Sequence, residues 1–175
     1  PLESMILASD TEAGLTVHRM AADFDTGAIL AQERFPFDET DDLDAIMAKL
    51  GGLFPGVVIQ ALERVARGEP GEPQDESLAT YAPLPDETWE PIDWGRPARE
   101  IHRQVRALTF QGNHPGGLAT LDGTPVRIAK TRLLPAEANG VRSGTVMRRE
   151  GETLVVQCGD GPLAILDSSP AQPEA

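Results

Sequence analysis

Two residues of chemical interest lie near the start of the chain: His18, and Asp25 inside Asp23-Phe-Asp-Thr-Gly27. A carboxylate held in a loop can orient a neighbouring imidazole or pass a proton, and a glycine beside it lets the backbone approach a ligand. A plainer reading stands next to this one. Aspartates in turns bond their own backbone, and a histidine on a strand is commonly a hydrogen-bonded structural residue. His18, Asp23 and Asp25 have no recognised metal-ligand spacing, so no metal is expected there. His102 lies beside the apolar stripe of a helix and is expected to pack against an adjacent domain, and His114 sits in the loop Gln111-Gly-Asn-His-Pro115. Cys158, the only cysteine, excludes an intrachain disulfide and is expected to be buried and inert. The acidic run Asp38-Glu-Thr-Asp-Asp-Leu-Asp44 lacks the glycine and terminal glutamate of a calcium loop and suits a helix start. Trp89 and Trp94 flank Ile92-Asp93; they can stack on a base or cover an interdomain seam, the second being the more ordinary job. No glycine pattern supports nucleotide-phosphate chemistry.

Charge divides the chain that carries these residues. The 175 residues hold 15 Lys+Arg against 28 Asp+Glu, a net charge of −13, which excludes a basic nucleic-acid-coating protein. Residues 1–95 have 5 basic and 20 acidic residues, a net of −15, whereas residues 96–149 have 10 basic and three acidic ones, a net of +7. A local positive patch, led by Arg96, Arg99, Arg103 and Arg106, is therefore compatible with an acidic whole. With 40% hydrophobic residues the chain can build a packed core. The lone cysteine and the absence of a basic, apolar leader fit a soluble protein of the reducing cytoplasm.

The elements that must position these groups follow from periodicity. Leu15–Met20 and Gly27–Gln32 read as strands on either side of the Asp23–Gly27 turn. Residues 41–67 have helical spacing, with Thr40 or Asp41 as cap, a break or kink expected at Gly51-Gly52 and Pro55-Gly56, and Gly68 ending the last turn. The run from Gly68 to Ser77, followed by Pro83-Leu-Pro85, reads as a linker. Residues 97–108 then form an amphipathic helix with its arginines opposite the apolar stripe. Asp122-Gly123 marks a hairpin, and three more short strands follow, which together suggest a small antiparallel barrel. The expected division is 1–68, a linker at 69–95, a barrel domain at 96–167 and a frayed tail at 168–175.

Four segments taken in order resemble the methionyl-tRNA formyltransferase family: Gly14-Leu-Thr-Val-His-Arg-Met20, Asp23 to Gln32, Ala79-Thr-Tyr-Ala-Pro83, and Ile92-Asp-Trp-Gly-Arg-Pro-Ala-Arg-Glu-Ile-His-Arg-Gln-Val-Arg-Ala107. The resemblance implies an α/β fold: the C-terminal part of a Rossmann-like formyltransferase domain followed by a small antiparallel, OB-like β-barrel. It implies that Asp25 is the catalytic aspartate, that His18 belongs to the strand entering the same loop, and that Met20, Ala21, Ala22, Asp23 and Phe24 line the pteridine pocket. It also implies 10-formyltetrahydrofolate as formyl donor, no metal, and initiator methionyl-tRNA as acceptor, with Arg96, Arg99, Arg103 and Arg106 in the tRNA-facing stretch 96–149. The acidity of residues 1–95 keeps a small amine, such as a nucleotide sugar or a siderophore precursor, open as acceptor. A non-catalytic RNA- or partner-binding module and a hydrolase releasing formate are the further alternatives. The family also uses an Asn-x-His pair upstream of these segments. This chain contains no Asn-x-His, so the resemblance implies a protein that starts partway through the formyltransferase domain and is inactive by itself.

Overall fold

The computed structural model describes residues 2–83, 86–110, 114–136 and 140–171, with only the backbone at His114 and Pro115. They divide into two compact units, one made of residues 10–82 and one made of residues 1–9 together with 83–175.

The first unit is a hairpin covered by a helix. Strands β1 (Glu12–His18) and β2 (Ile29–Pro36) pair antiparallel, in regular register from Glu12↔Pro36 to Val17↔Ala31 and with an irregularity between Val17 and His18. Helix α2 (Leu43–Ala66) starts at Asp42, whose side chain accepts a hydrogen bond from the Ala45 amide at 2.9 Å. The cap is thus one residue beyond the expected Thr40 or Asp41. The helix ends in a Schellman motif: Gly68, at φ +73°, donates to the Val65 carbonyl and Glu69 to the Arg64 carbonyl. Leu30, Ala31, Val57 and Ala61 form the buried core, with Leu15, Val17 and Leu53 packed against it.

The expected break in α2 does not occur; the helix is continuous for 24 residues through Gly51, Gly52 and Pro55. Proline at 55 removes one backbone bond, to the Gly51 carbonyl, and residues 51, 52, 55 and 56 are all exposed, so water serves the freed carbonyl. Meanwhile the buried face at Leu43, Ile46, Val57 and Ala61 is secured on both sides of the proline. Leu43, Ile46 and Val57 each gain about 1.5–3 kcal/mol from burial, enough to hold the helix across one lost bond. By length and composition alone α2 could cross a membrane.

The second unit opens with α1 (Leu2–Ala8), which no capping or periodic signal announced and which packs on α3 (Ala98–Ala107), burying Ile6. A short pair, β3 (Thr109–Phe110) with β4 (His114–Pro115), follows α3. Five strands, β5 (Gly117–Leu121), β6 (Thr124–Leu133), β7 (Val146–Glu150), β8 (Thr153–Gln157) and β9 (Pro162–Pro170), form one antiparallel sheet in the order β5-β6-β9-β8-β7. Asp122 and Gly123 turn at φ +48° and +81°, the type I′ geometry expected of Asp-Gly. Val105 from α3 joins Ala119, Leu121, Ile128, Val156 and Ile165 in the core, while Ala98, Ile101, Cys158 and Leu163 form an adjoining cluster.

Two expectations need correcting. Among the described residues no ladder joins β5 to β7, so the sheet is not a closed barrel, although an ion pair between Arg149 and Asp122 at 2.6 Å links β7 to the β5–β6 turn. Fraying does not begin at residue 168 either. β9 continues to Pro170 because β6 is long enough to pair with it as far as Val126↔Pro170. Residues 172–175 lie outside the described residues.

Candidate active site

The loop between β1 and β2 is closed at its base by the Arg19 amide, which donates to the Ala28 carbonyl at 2.9 Å. Gly27 makes that closure possible: a Cβ on it would lie 1.6 Å from the Arg19 carbonyl oxygen. Within the loop, Asp25 takes a left-handed φ of +58°, and the Thr26 hydroxyl donates to the Asp23 carbonyl at 3.2 Å. Aspartate tolerates this conformation better than most residues.

This backbone brings His18 and Asp25 together. Nδ1 of His18 lies 2.9 Å from the Arg19 carbonyl, which can only accept, so Nδ1 carries the proton. Nε2 is thereby left towards Asp25, whose Oδ1 stands 3.5 Å away. The Asp25 carboxylate is 93% exposed and His18 much less so. Met20 and Phe24, 93% and 98% exposed, bare two large apolar side chains on the same loop. An imidazole of fixed tautomer beside an open carboxylate can relay a proton, and the bared Met and Phe can cover one face of a flat ring. Asp23, Ala21 and Ala22 are exposed with them.

A second group of residues, 69–74, fastens this loop, and its role was not visible in the sequence. Arg19 donates through Nε to the Pro70 carbonyl at 2.9 Å and through its terminal nitrogen to the Glu69 carbonyl at 2.6 Å. Ile29 and Glu72 exchange two backbone bonds, of 2.7 and 2.9 Å. Gln74 donates from Nε2 to the Asp25 carbonyl at 2.6 Å and to the Gly27 carbonyl at 2.8 Å. Arg64 of α2 completes the fastening, with bonds to the Leu30 carbonyl, Glu69 and Glu72. Hydrogen bonding from Arg67 first, and from Arg64 after it, holds the Glu69 carboxyl below its ordinary range. What reads as the start of a linker is therefore a strap laid along the loop. The one available signal was Gln74 itself, a long amide donor amid prolines and acids.

The four arginines of the positive stretch part company. Arg96, ion-paired with Glu100 at 2.8 Å, and Arg99 are exposed; Arg103 is half-buried, and Arg106 is buried at 8% exposure. α1 and β6 both pack on α3, and its arginines are exposed to different degrees. His102 is buried, and its Nδ1 lies 2.7 Å from the Thr131 hydroxyl on β6. Trp94 packs against both core clusters of its own unit. Cys158 is buried at 1% exposure, and burial first, then the charge of Asp160, pushes its thiol up to about 12. Gln111–Asn113 of the His114 loop lie outside the described residues.

Comparisons with known proteins identify the family of the chain. Residues 1–62 match the family model described as formyl transferase, and residues 87–174 match the formyl transferase C-terminal domain. The chain belongs to the formyltransferase family. It is 36% identical over 165 residues to the methionyl-tRNA formyltransferase of Gluconobacter oxydans, covering 94% of this chain and 51% of that protein. The chain thus spans about half the length of the curated relatives it matches. Among solved structures, HypX from Aquifex aeolicus in complex with tetrahydrofolic acid superposes with a TM-score of 0.76 at 19% identity, over 98% of this chain and 29% of that one. An N-formyltransferase from Helicobacter canadensis, in complex with folinic acid and dTDP-3-aminofucose, superposes with a TM-score of 0.65 at 22% identity, over 95% and 59%.

Proposed function

We propose that this chain is the portion of a methionyl-tRNA-type formyltransferase that carries the aspartate loop and the acceptor-facing C-terminal domain. The observation that supports it most directly is the His18–Asp25 pair at the mouth of a loop whose apolar residues Met20 and Phe24 are bare. The donor, 10-formyltetrahydrofolate, supplies an activated formyl carbon for attack by an amine. Attack makes the amine nitrogen cationic, and a proton must leave it. Asp25 is assigned to take that proton directly or through water, a reading supported by its exposure and its nearness to His18 Nε2, while His18 is held in one tautomer by the Arg19 carbonyl. Met20 to Phe24 are read as the residues that receive the flat pteridine, a reading supported by the exposure of Met20 and Phe24. No metal is required of these residues.

The oxyanion formed in the same step needs preorganised donors. The Asn-x-His pair that supplies them in the family is not in this sequence, so we expect no turnover from these 175 residues alone. On the acceptor side, the exposed Arg96 and Arg99 and the half-buried Arg103 are assigned to tRNA phosphate within the stretch 96–149. The Arg149–Asp122 contact supports a sheet that curls towards an OB-like barrel. Residues 69–95 are read as the connection between the donor-facing and acceptor-facing parts, and the cytoplasm as the site of action.

The test is titration of the chain with 5-formyltetrahydrofolate, a non-transferring analogue of the donor, followed by Asp25→Asn in a turnover-competent formyltransferase assembled around this chain. Analogue binding and a rate loss of about 10²–10⁴-fold with the fold intact are expected. An unchanged rate would leave a binding module as the better reading. A small amine as acceptor is supported by the acidity of residues 1–95 and would be indicated by an absence of tRNA binding at low salt.

A further inference from the structure

The carboxylate of Asp25 is almost fully exposed, with His18 Nε2 at 3.5 Å, so packing does not hold it in place. Its position is inherited from its backbone, which is left-handed at φ +58°. The carbonyls of Asp25 and Gly27, on either side of Thr26, converge on a single donor, Nε2 of Gln74, at 2.6 and 2.8 Å. An amide nitrogen has two hydrogens, and both are engaged. Gln74 is in turn fixed at its base. Glu72, two residues earlier, exchanges two backbone bonds with Ile29, and Gly71 runs so close to β2 that a Cβ there would stand 2.9 Å from the Ile29 carbonyl oxygen.

From this convergence we infer that Gln74 is a positioning residue: its amide sets the Asp25–Gly27 turn and thereby keeps the Asp25 carboxylate beside His18. The catalytic meaning of that position rests on the formyltransferase reading above; the positioning itself does not. Gln74 acts from a segment 49 residues away in sequence, so the reactive loop and the chain leaving α2 are ordered as one piece.

Two variants of the full chain separate this role from simple stabilisation. Gln74→Leu removes both donors at similar size, whereas Gln74→Lys restores donors able to reach both carbonyls. By NMR, the Asp25 scalar coupling and Cα/Cβ shifts report its left-handed φ, and the response of the His18 Nε2 shift to Asp25→Asn reports the proximity of the pair. In the wild-type chain both signatures are expected. In Gln74→Leu the left-handed signature is expected to average out and the His18 response to fall at least threefold; in Gln74→Lys both are expected to return. Persistence of both signatures in Gln74→Leu overturns the inference, as does their loss in Gln74→Lys with an unchanged melting curve. Titration of the wild type with 5-formyltetrahydrofolate is run alongside. Absence of binding there counts against the formyltransferase reading alone, because the NMR signatures need no ligand.

Discussion

The side chain of Asp160 caps a helix that begins 62 residues before it: its Oδ1 accepts a hydrogen bond from the Ala98 amide at 2.7 Å. Pro97, the residue at the cap position of α3, has no side-chain acceptor, so the task falls to the turn between β8 and β9. That turn fits tightly, with the Gly159 amide donating to the Arg96 carbonyl at 2.9 Å. Replacing Asp160 with Ala should cost about 1 kcal/mol, typical of a lost N-cap, and lower the melting temperature by roughly 4–8 °C. Asn at the same position keeps an acceptor oxygen and should recover most of the loss. Thermal unfolding of the two variants makes the comparison.

Gly27 and Gly52 should respond to alanine in opposite directions. A methyl at Gly27 meets the Arg19 carbonyl, a backbone atom that cannot step aside, so Gly27→Ala should destabilise by about 1–3 kcal/mol and separate His18 from Asp25. A methyl at Gly52 meets nothing within 4 Å on an exposed helical surface, so Gly52→Ala should stabilise by roughly 0.5–1 kcal/mol. Urea denaturation of each variant is the check.

The Cys158 thiol sets a pH window for stability. Its folded value is pushed up from 9.0 to about 12, so the folded chain keeps a proton that the unfolded chain gives up more readily. Its contribution is fully present below about pH 9 and is lost as the pH rises through about 12. Stability should therefore fall across that interval in the wild type and less so in Cys158→Ala. A thiol-alkylating reagent at pH 8 should leave the native chain unmodified and react at once in denaturant.

Arginine substitutions on α3 and just before it should sort by burial. On the methionyl-tRNA reading, Arg96→Ala and Arg99→Ala, which alter exposed side chains, should weaken tRNA binding, with a shallower salt dependence, and should change the melting temperature less than Arg106→Ala does. Arg106→Ala, at a buried position, should instead lower the melting temperature. Filter binding at two salt concentrations, with parallel melts, separates the two effects.

What could be read in the sequence was whatever neighbours in the chain decide. The Asp122-Gly123 hairpin, the strands around it and the end of α2 at Gly68 follow from local turn and cap chemistry. The loop bearing Asp25 was legible for the same reason. Its fastening was not, because Gln74 and Asp25 are far apart in the chain and no periodicity links them. Pro55 reads locally as a breaker because propensity counts the lost bond but not the buried residues on either side of it. The burial of Arg106 is not legible either, because helical periodicity marks one apolar stripe and says nothing of the other elements, α1 among them, that pack on α3.

The helix α1 has a consequence for the order in which the chain is made. It belongs to the unit that otherwise starts at residue 83, so that unit is assembled from two stretches of chain separated by the 73 residues 10–82. A seven-residue helix does not persist by itself in water. During synthesis, Leu2–Ala8 must therefore wait roughly 5–20 s, the time to translate about ninety further residues, before α3 exists to receive Ile6. A chain nicked anywhere between residues 10 and 82 would become a two-piece protein, with α1 retained on the C-terminal unit by noncovalent contacts.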